Sequence, residues 1–155
     1  MLLKPDEKNQ CFGCGGANAH GMQLTFEQDD AMRRIKGLFR LSAAYQGATG
    51  FVHGGIIATL LDEVMAKVSR FNGEHAVTAE LTVEYKRPVP VDEDIVVEGW
   101  EVKVAERHRF REGEIRDASG VVLARGRARF TVIDPEKFRG TSGAGTLAAK
   151  RDSEA

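Results

Sequence analysis

The sequence has few cysteines, few aromatic residues, no long apolar run and almost no net charge, and each shortage removes a class of protein. Two cysteines in 155 residues are too few for a secreted disulfide scaffold. A formal net charge of −1 argues against a dedicated nucleic-acid binder, which carries a basic excess. No apolar stretch approaches the length of a membrane span, and the opening MLLKPDEKNQ turns polar too soon for a signal peptide. These absences predict a cytoplasmic chain with no membrane and no nucleic-acid partner. What is present, 42% hydrophobic and 29% charged residues, suits one globular domain with a single core.

The chain is organised around Val52–Arg70, VHGGIIATLLDEVMAKVSR. After its His-Gly-Gly turn it runs fifteen residues without Gly or Pro, about four helical turns. At about 100° per residue, Ile56, Ile57, Leu60, Leu61, Val64 and Val68 form an apolar stripe that a sheet must cover. Glu63, Lys67 and Arg70 share a charged face, with Glu63 and Lys67 as an i,i+4 pair. Between these faces lie Gly55, Ala58, Thr59, Asp62, Ala66 and Ser69, small residues around one carboxylate. Small side chains admit another backbone or a ligand, so Asp62 is expected away from open water.

Residues 1–21 read as an irregular N-terminal segment ending in CFGCGGANAHG. Cys11 and Cys14 have CxxC spacing and His20 follows, but a closed metal site needs further ligands, which would have to come from far away. The favoured reading is a tight loop with two partly buried thiols, and neither a metal nor a cofactor is expected. Met22–Glu27 and Arg33–Leu41 read as strands around a Gln28–Asp30 turn, and Ser42–Val52 as a loop wrapping the helix start. Asn72-Gly73 stops the helix. Ala76–Arg87 alternates, with Val77, Ala79, Leu81, Val83 and Tyr85 on one side and Thr78, Glu80 and Thr82 on the other. Pro88 and Pro90 end it. Asp94–Val104, Arg107–Arg116 and Val121–Ile133 complete the strands, the last two joined by an Asp117–Gly120 turn. Opposite-charge pairing favours a register with Arg116 opposite Val121 and Arg125 opposite Glu112. Asp134-Pro135 closes the domain at about residue 138, and 139–155 has the composition of a disordered tail. Two strands, one long helix and four further strands make an α+β fold. One helix cannot cover both faces of six strands, which calls for a partner copy.

The chemistry concentrates at both ends of one helix. Gly54 and Gly55 bring first-turn N–H groups that lack intrahelical partners, suited to a developing oxyanion. His53 before them suits a cap or a catalytic role alike. Asp62 suits a general base or a nucleophile. His53 and Asp62 are nine residues apart, about 13 Å along a helix, so they cannot reach one carbon from the same chain. If both act, a neighbouring subunit's antiparallel helix supplies one of them.

The order of a Tyr45-Gln46-Gly47 loop, VHGG, helix, Asp62 and the strand VTAELTVEYKRPV resembles the hot-dog-fold acyl-CoA thioesterases, as does the CFGCG opening. The likeness covers about residues 11–133 and is strongest to the His-Gly-Gly group that includes the phenylacetate-pathway thioesterase. It implies a long central helix wrapped by a curved antiparallel sheet, in dimers or dimers of dimers with sites at the interface. The resemblance gives Gly54 the oxyanion N–H, with Gly55 beside it, and Asp62 the role of base or nucleophile. It gives Thr78 the attacking water and His53 the thioester carbonyl. Several members carry Asn or Gln six residues before the histidine; here that position is Gly47, and neighbouring Gln46 is the candidate in its place. Coenzyme A is phosphorylated, so Lys86, Arg87, Arg107, Arg109 and Arg111 are candidates to meet it. The alternatives on this scaffold are a non-catalytic acyl-CoA-binding module and an enoyl-thioester hydratase or dehydratase.

Overall fold

The helix forms where the spacing predicts it. In the computed structural model, which describes residues 1–141, α1 spans Gly54–Lys67 and continues as a 3-10 turn over Val68–Asn72. Gly73, at φ +63°, closes it in the left-handed conformation glycine tolerates. Leu60, Leu61, Val64 and Met65 are wholly buried at 0% exposure, each contributing roughly 2 kcal/mol of burial. Met65 belongs to this face, which the expected stripe omitted.

Around α1 lie β1 (Leu2–Leu3), β2 (Phe26–Asp29), β3 (Arg34–Arg40), β4 (Ala76–Tyr85), β5 (Asp94–Ala105), β6 (His108–Asp117) and β7 (Val122–Val132). They form one sheet in the order β1-β2-β3-β5-β6-β7-β4, every neighbour antiparallel. This is the expected α+β architecture, with seven strands rather than about six, because the N-terminal Leu2–Leu3 pairs with Phe26 and Glu27. A short helix α2, Pro135–Thr141, follows β7 and overlaps the start of the stretch expected to be a disordered tail. Residues 142–155 lie outside the described residues.

A row of glycines seats the helix. Gly99 on β5 pairs with Gly113 on β6, which pairs with Gly126 on β7. A Cβ at Gly99 would stand 3.0 Å from the Val64 carbonyl oxygen, and one at Gly126 3.1 Å from Met65 Cε. Side chains there would lift α1 off the sheet.

Three local expectations are corrected. The first hairpin turns over Asp30–Arg33, later than Gln28–Asp30, because the Asp29 carboxylate accepts the Met32 N–H at 3.0 Å and Arg33 takes φ +50°. The β6–β7 register slides by two residues, so that Glu114 faces Arg125 and Glu112 faces Arg127. Asp117 anchors that turn by accepting from Ser119 and Val121 N–H, at 2.9 and 3.0 Å. A two-residue slide keeps every side chain on its face and still pairs opposite charges. Glu63 and Lys67 do not pair with each other among the described residues; the Cys11–Cys14 loop lies over them. Cys11 Sγ stands 3.3 Å from Glu63 Oε1, and Lys67 Nζ 3.0 Å from Cys14 Sγ.

Candidate active site

A bulge in β4 decides where Thr78 points. Strict alternation would group Thr78 with Glu80 and Thr82. Thr78 pairs with Phe130 but Glu80 pairs with Arg129, leaving Ala79 as the extra residue, and one extra residue reverses the phase. Ala76 precedes the bulge and Leu81 and Val83 follow it, yet all three pack against the core. Thr78 turns to the same side and donates its hydroxyl to Asp62 Oδ1 at 2.7 Å. Partial burial pushes the Asp62 carboxyl above its ordinary value, the Thr78 hydrogen bond pulls it back in part, and the adjacent Glu63 charge adds to the rise. The result is a half-buried carboxylate held in one orientation by a hydroxyl that is itself exposed.

At the other end of the helix, His53 is the N-cap, its Nδ1 accepting the Gly55 N–H at 2.9 Å. In the neutral ring this puts the proton on Nε2. The Gly55 N–H is thereby occupied, whereas the Gly54 N–H donates to no group among the described residues. Gly47 presses against the histidine: a Cβ there would lie 3.2 Å from His53 Cα. Gln46 turns inward on its own loop, its Oε1 accepting the Gly50 N–H at 3.2 Å.

Tyr85, to which the sequence assigned no role, belongs to this end. Its hydroxyl donates to the Gly54 carbonyl at 2.8 Å, clasping the end of β4 to the first turn of α1. The only signal for it was its place at the inward end of the alternating strand. A groove of about 380 Å³ opens here, lined by Phe51, His53, Gly54, Ile57, Tyr85 and Arg87 among others. Asp62 and Thr78 are not part of its lining, in keeping with the rise of about 13 Å that separates them from His53.

The five basic candidates fall into different settings. Lys86 and Arg87 line the groove, with Lys86 3.2 Å from Glu84. Arg107 is exposed in the turn between β5 and β6. Arg109 Nε donates to Glu74 at 2.9 Å. Arg111, 1% exposed, bonds Glu101 and the Met65 carbonyl and lies over the Phe130 ring. Elsewhere, burial and the hydrogen bond with Glu63 outweigh Lys67 and push the Cys14 thiol up to about 12. That keeps it protonated and unsuited to nucleophilic work.

Comparison with known proteins bears on this arrangement. A family model described as the thioesterase superfamily matches residues 49–124, the span from the loop before the N-cap into β7. The rat acyl-coenzyme A thioesterase THEM4 is 33% identical over 118 residues, covering 76% of this chain and 51% of that protein. The chain thus spans about half the length of this relative. A crystal structure of a thioesterase superfamily protein superposes with a TM-score of 0.74 at 31% identity, over 79% of this chain and 60% of the other. The PaaI protein of the E. coli phenylacetic acid degradation operon shares the fold, with a TM-score of 0.62 at 18% identity, covering 66% of this chain and 74% of that one.

Proposed function

Because the chain belongs to the thioesterase superfamily, we propose that it hydrolyses acyl-coenzyme A thioesters to the free acid and coenzyme A. The observation that carries this reading is the Thr78–Asp62 hydrogen bond. A hydroxyl that donates to the carboxylate keeps its own lone pairs free, so it can accept a hydrogen bond from a water beside Asp62. Asp62 then acts as general base, taking the water proton as the oxygen attacks the thioester carbonyl. The Gly54 N–H, which has no acceptor among the described residues, lies at the positive end of α1 and stabilises the tetrahedral oxyanion. His53 Nε2–H stands beside that carbonyl. Collapse of the tetrahedral intermediate breaks the C–S bond, and the departing sulfur takes the proton held by Asp62, which releases coenzyme A as the thiol and restores the carboxylate.

The separation of Asp62 from the Gly54 groove supports a homodimer in which each pocket draws its base from one helix and its oxyanion donor from the other. Among the described residues β4 is an edge strand, unpaired on its outer side, and it carries both Thr78 and Tyr85. In this reading Lys86 and Arg87, which line the groove, meet the phosphates of coenzyme A, whereas Arg109 and Arg111 are engaged with Glu74, Glu101 and the Met65 carbonyl. No helix among the described residues is long and apolar enough to cross a membrane, and both cysteines are unpaired.

The deciding experiment is thiol release across short, long and aromatic acyl-CoAs, with Asp62→Asn as control. Acyl-CoA binding without release over the whole panel would establish the non-catalytic reading. In a single turnover in heavy-oxygen water a general base leaves Asp62 unlabelled, and label found in Asp62 would identify it as the nucleophile.

A further inference from the structure

The thioesterase reading leaves Cys11-Phe-Gly-Cys14 unused. CxxC spacing supplies two ligands of a zinc-type site, and nothing nearby in sequence completes it. The fold brings Glu63 from the middle of α1. One atom from each of Cys11, Cys14 and Glu63 lies within 4.8 Å of the others, and Cys11 Sγ is 3.3 Å from Glu63 Oε1. On a tetrahedral zinc, with bonds of about 2.3 Å to sulfur and about 2.0 Å to oxygen, ligand atoms stand roughly 3.5–3.8 Å apart. The Cys11–Glu63 edge is already close to that length, and the others are no longer than 4.8 Å.

The loop is shaped for this approach. Gly13 sits over the carboxylate, where a Cβ would come within 2.5 Å of the Glu63 carboxyl carbon. The Gly15 N–H closes the turn on the Cys11 carbonyl at 2.9 Å. Two thiolates and a carboxylate exceed a divalent cation by one negative charge, and the Lys67 ammonium, 3.0 Å from Cys14 Sγ, balances it while donating to the sulfur.

We infer that Cys11, Cys14 and Glu63 form a binding site for a thiophilic divalent cation, zinc above all, which ties the N-terminal loop to α1. It goes beyond the expectation of a tight loop with two partly buried thiols, of which Cys11 is half-buried and Cys14 buried. Thiolate ligands select zinc over magnesium or calcium. On binding, two S–H bonds give way to two metal–sulfur bonds and both protons go to solvent; a Glu63 carboxylate oxygen supplies the third bond, and water takes the fourth position.

The full chain, reduced and stripped with a chelator, is titrated with zinc against a chromophoric competitor and, separately, with cobalt. One cation per chain, thiolate-to-cobalt charge-transfer absorption and two protons released per cation are expected. Cys11→Ser weakens binding at least about 100-fold and Glu63→Gln about 10-fold, with far-UV circular dichroism confirming the fold. Should Cys11→Ser fail to fold, Glu63→Gln and the cobalt spectrum of the unaltered chain decide. Binding no tighter than about 1 mM, cobalt binding without thiolate absorption, or undiminished affinity in a folded variant overturns the site.

Discussion

Thr78 Oγ1 donates to Asp62 Oδ1 at 2.7 Å, joining an edge strand to the middle of the central helix. This contact exists because one extra residue, Ala79, reverses the phase of β4. Asp62→Asn and Asp62→Ala are expected to lower kcat by about 1,000-fold, without lowering the thermal midpoint, since a partly buried charge is removed. Thr78→Ala should cost less, about 10- to 100-fold, and Thr78→Ser should recover most of it. Full turnover in Asp62→Asn would sink the mechanism.

Deleting Ala79 gives a sharper test of the bulge. A regular β4 would send Thr78 to the outer face or shift its pairing with β7. The expected variant folds, measured by circular dichroism, but loses thiol release to the level of Thr78→Ala or below. Retained activity would mean that the bulge does not aim Thr78.

Tyr85→Phe removes the 2.8 Å hydrogen bond to the Gly54 carbonyl. Chemical denaturation should show a loss of about 0.5–1 kcal/mol. Replacing His53 by Ala removes the side chain that caps Gly55, with an expected cost of about 1 kcal/mol besides its effect on turnover. Unchanged stability in both would deny that β4 and the cap hold the first turn of α1.

Gly99→Ala puts a methyl group 3.0 Å from the Val64 carbonyl oxygen, a backbone atom that cannot swing aside. Denaturation is expected to register about 1–3 kcal/mol of destabilisation. Gly120→Ala is the contrast: its Cβ meets nothing within 4 Å, so any loss comes from its φ of +90° alone.

Stability should fall in acid through Glu114. Burial would raise this carboxyl, but hydrogen bonds and charge from Arg125 and Arg116 outweigh it and hold it below its ordinary 4.5. A depressed value means that the folded state gains stability above about pH 4.5, and loses it as pH falls through the folded value. Thermal midpoints measured across that range should drop for the native chain and follow a shallower curve in Glu114→Gln. Parallel curves would show that the pair does not drive the loss.

Periodicity was enough to place α1, the long strands and the α+β class, because burial of one face imposes a spacing of 3.6 or 2 on apolar residues. It was enough, too, to separate His53 from Asp62, since helical rise is fixed. Registers and turns were less readable. A slide of two residues on β6–β7 leaves the pattern of faces intact, so alternation cannot distinguish it, and Asp117 chose between them through its turn hydrogen bonds. The glycine row left no apolar signal at all, because its information is the absence of a side chain at a close approach.

Of the central helix, the sequence by itself determined the length, the buried stripe and the distance between His53 and Asp62. Only the tertiary structure decided what meets each face: Thr78 through a bulge, Tyr85 at the first turn, and the Cys11–Cys14 loop over Glu63 and Lys67. Local spacing fixes where side chains stand on one element. The contacts between elements far apart in the chain depend on packing, and packing is settled by the fold as a whole.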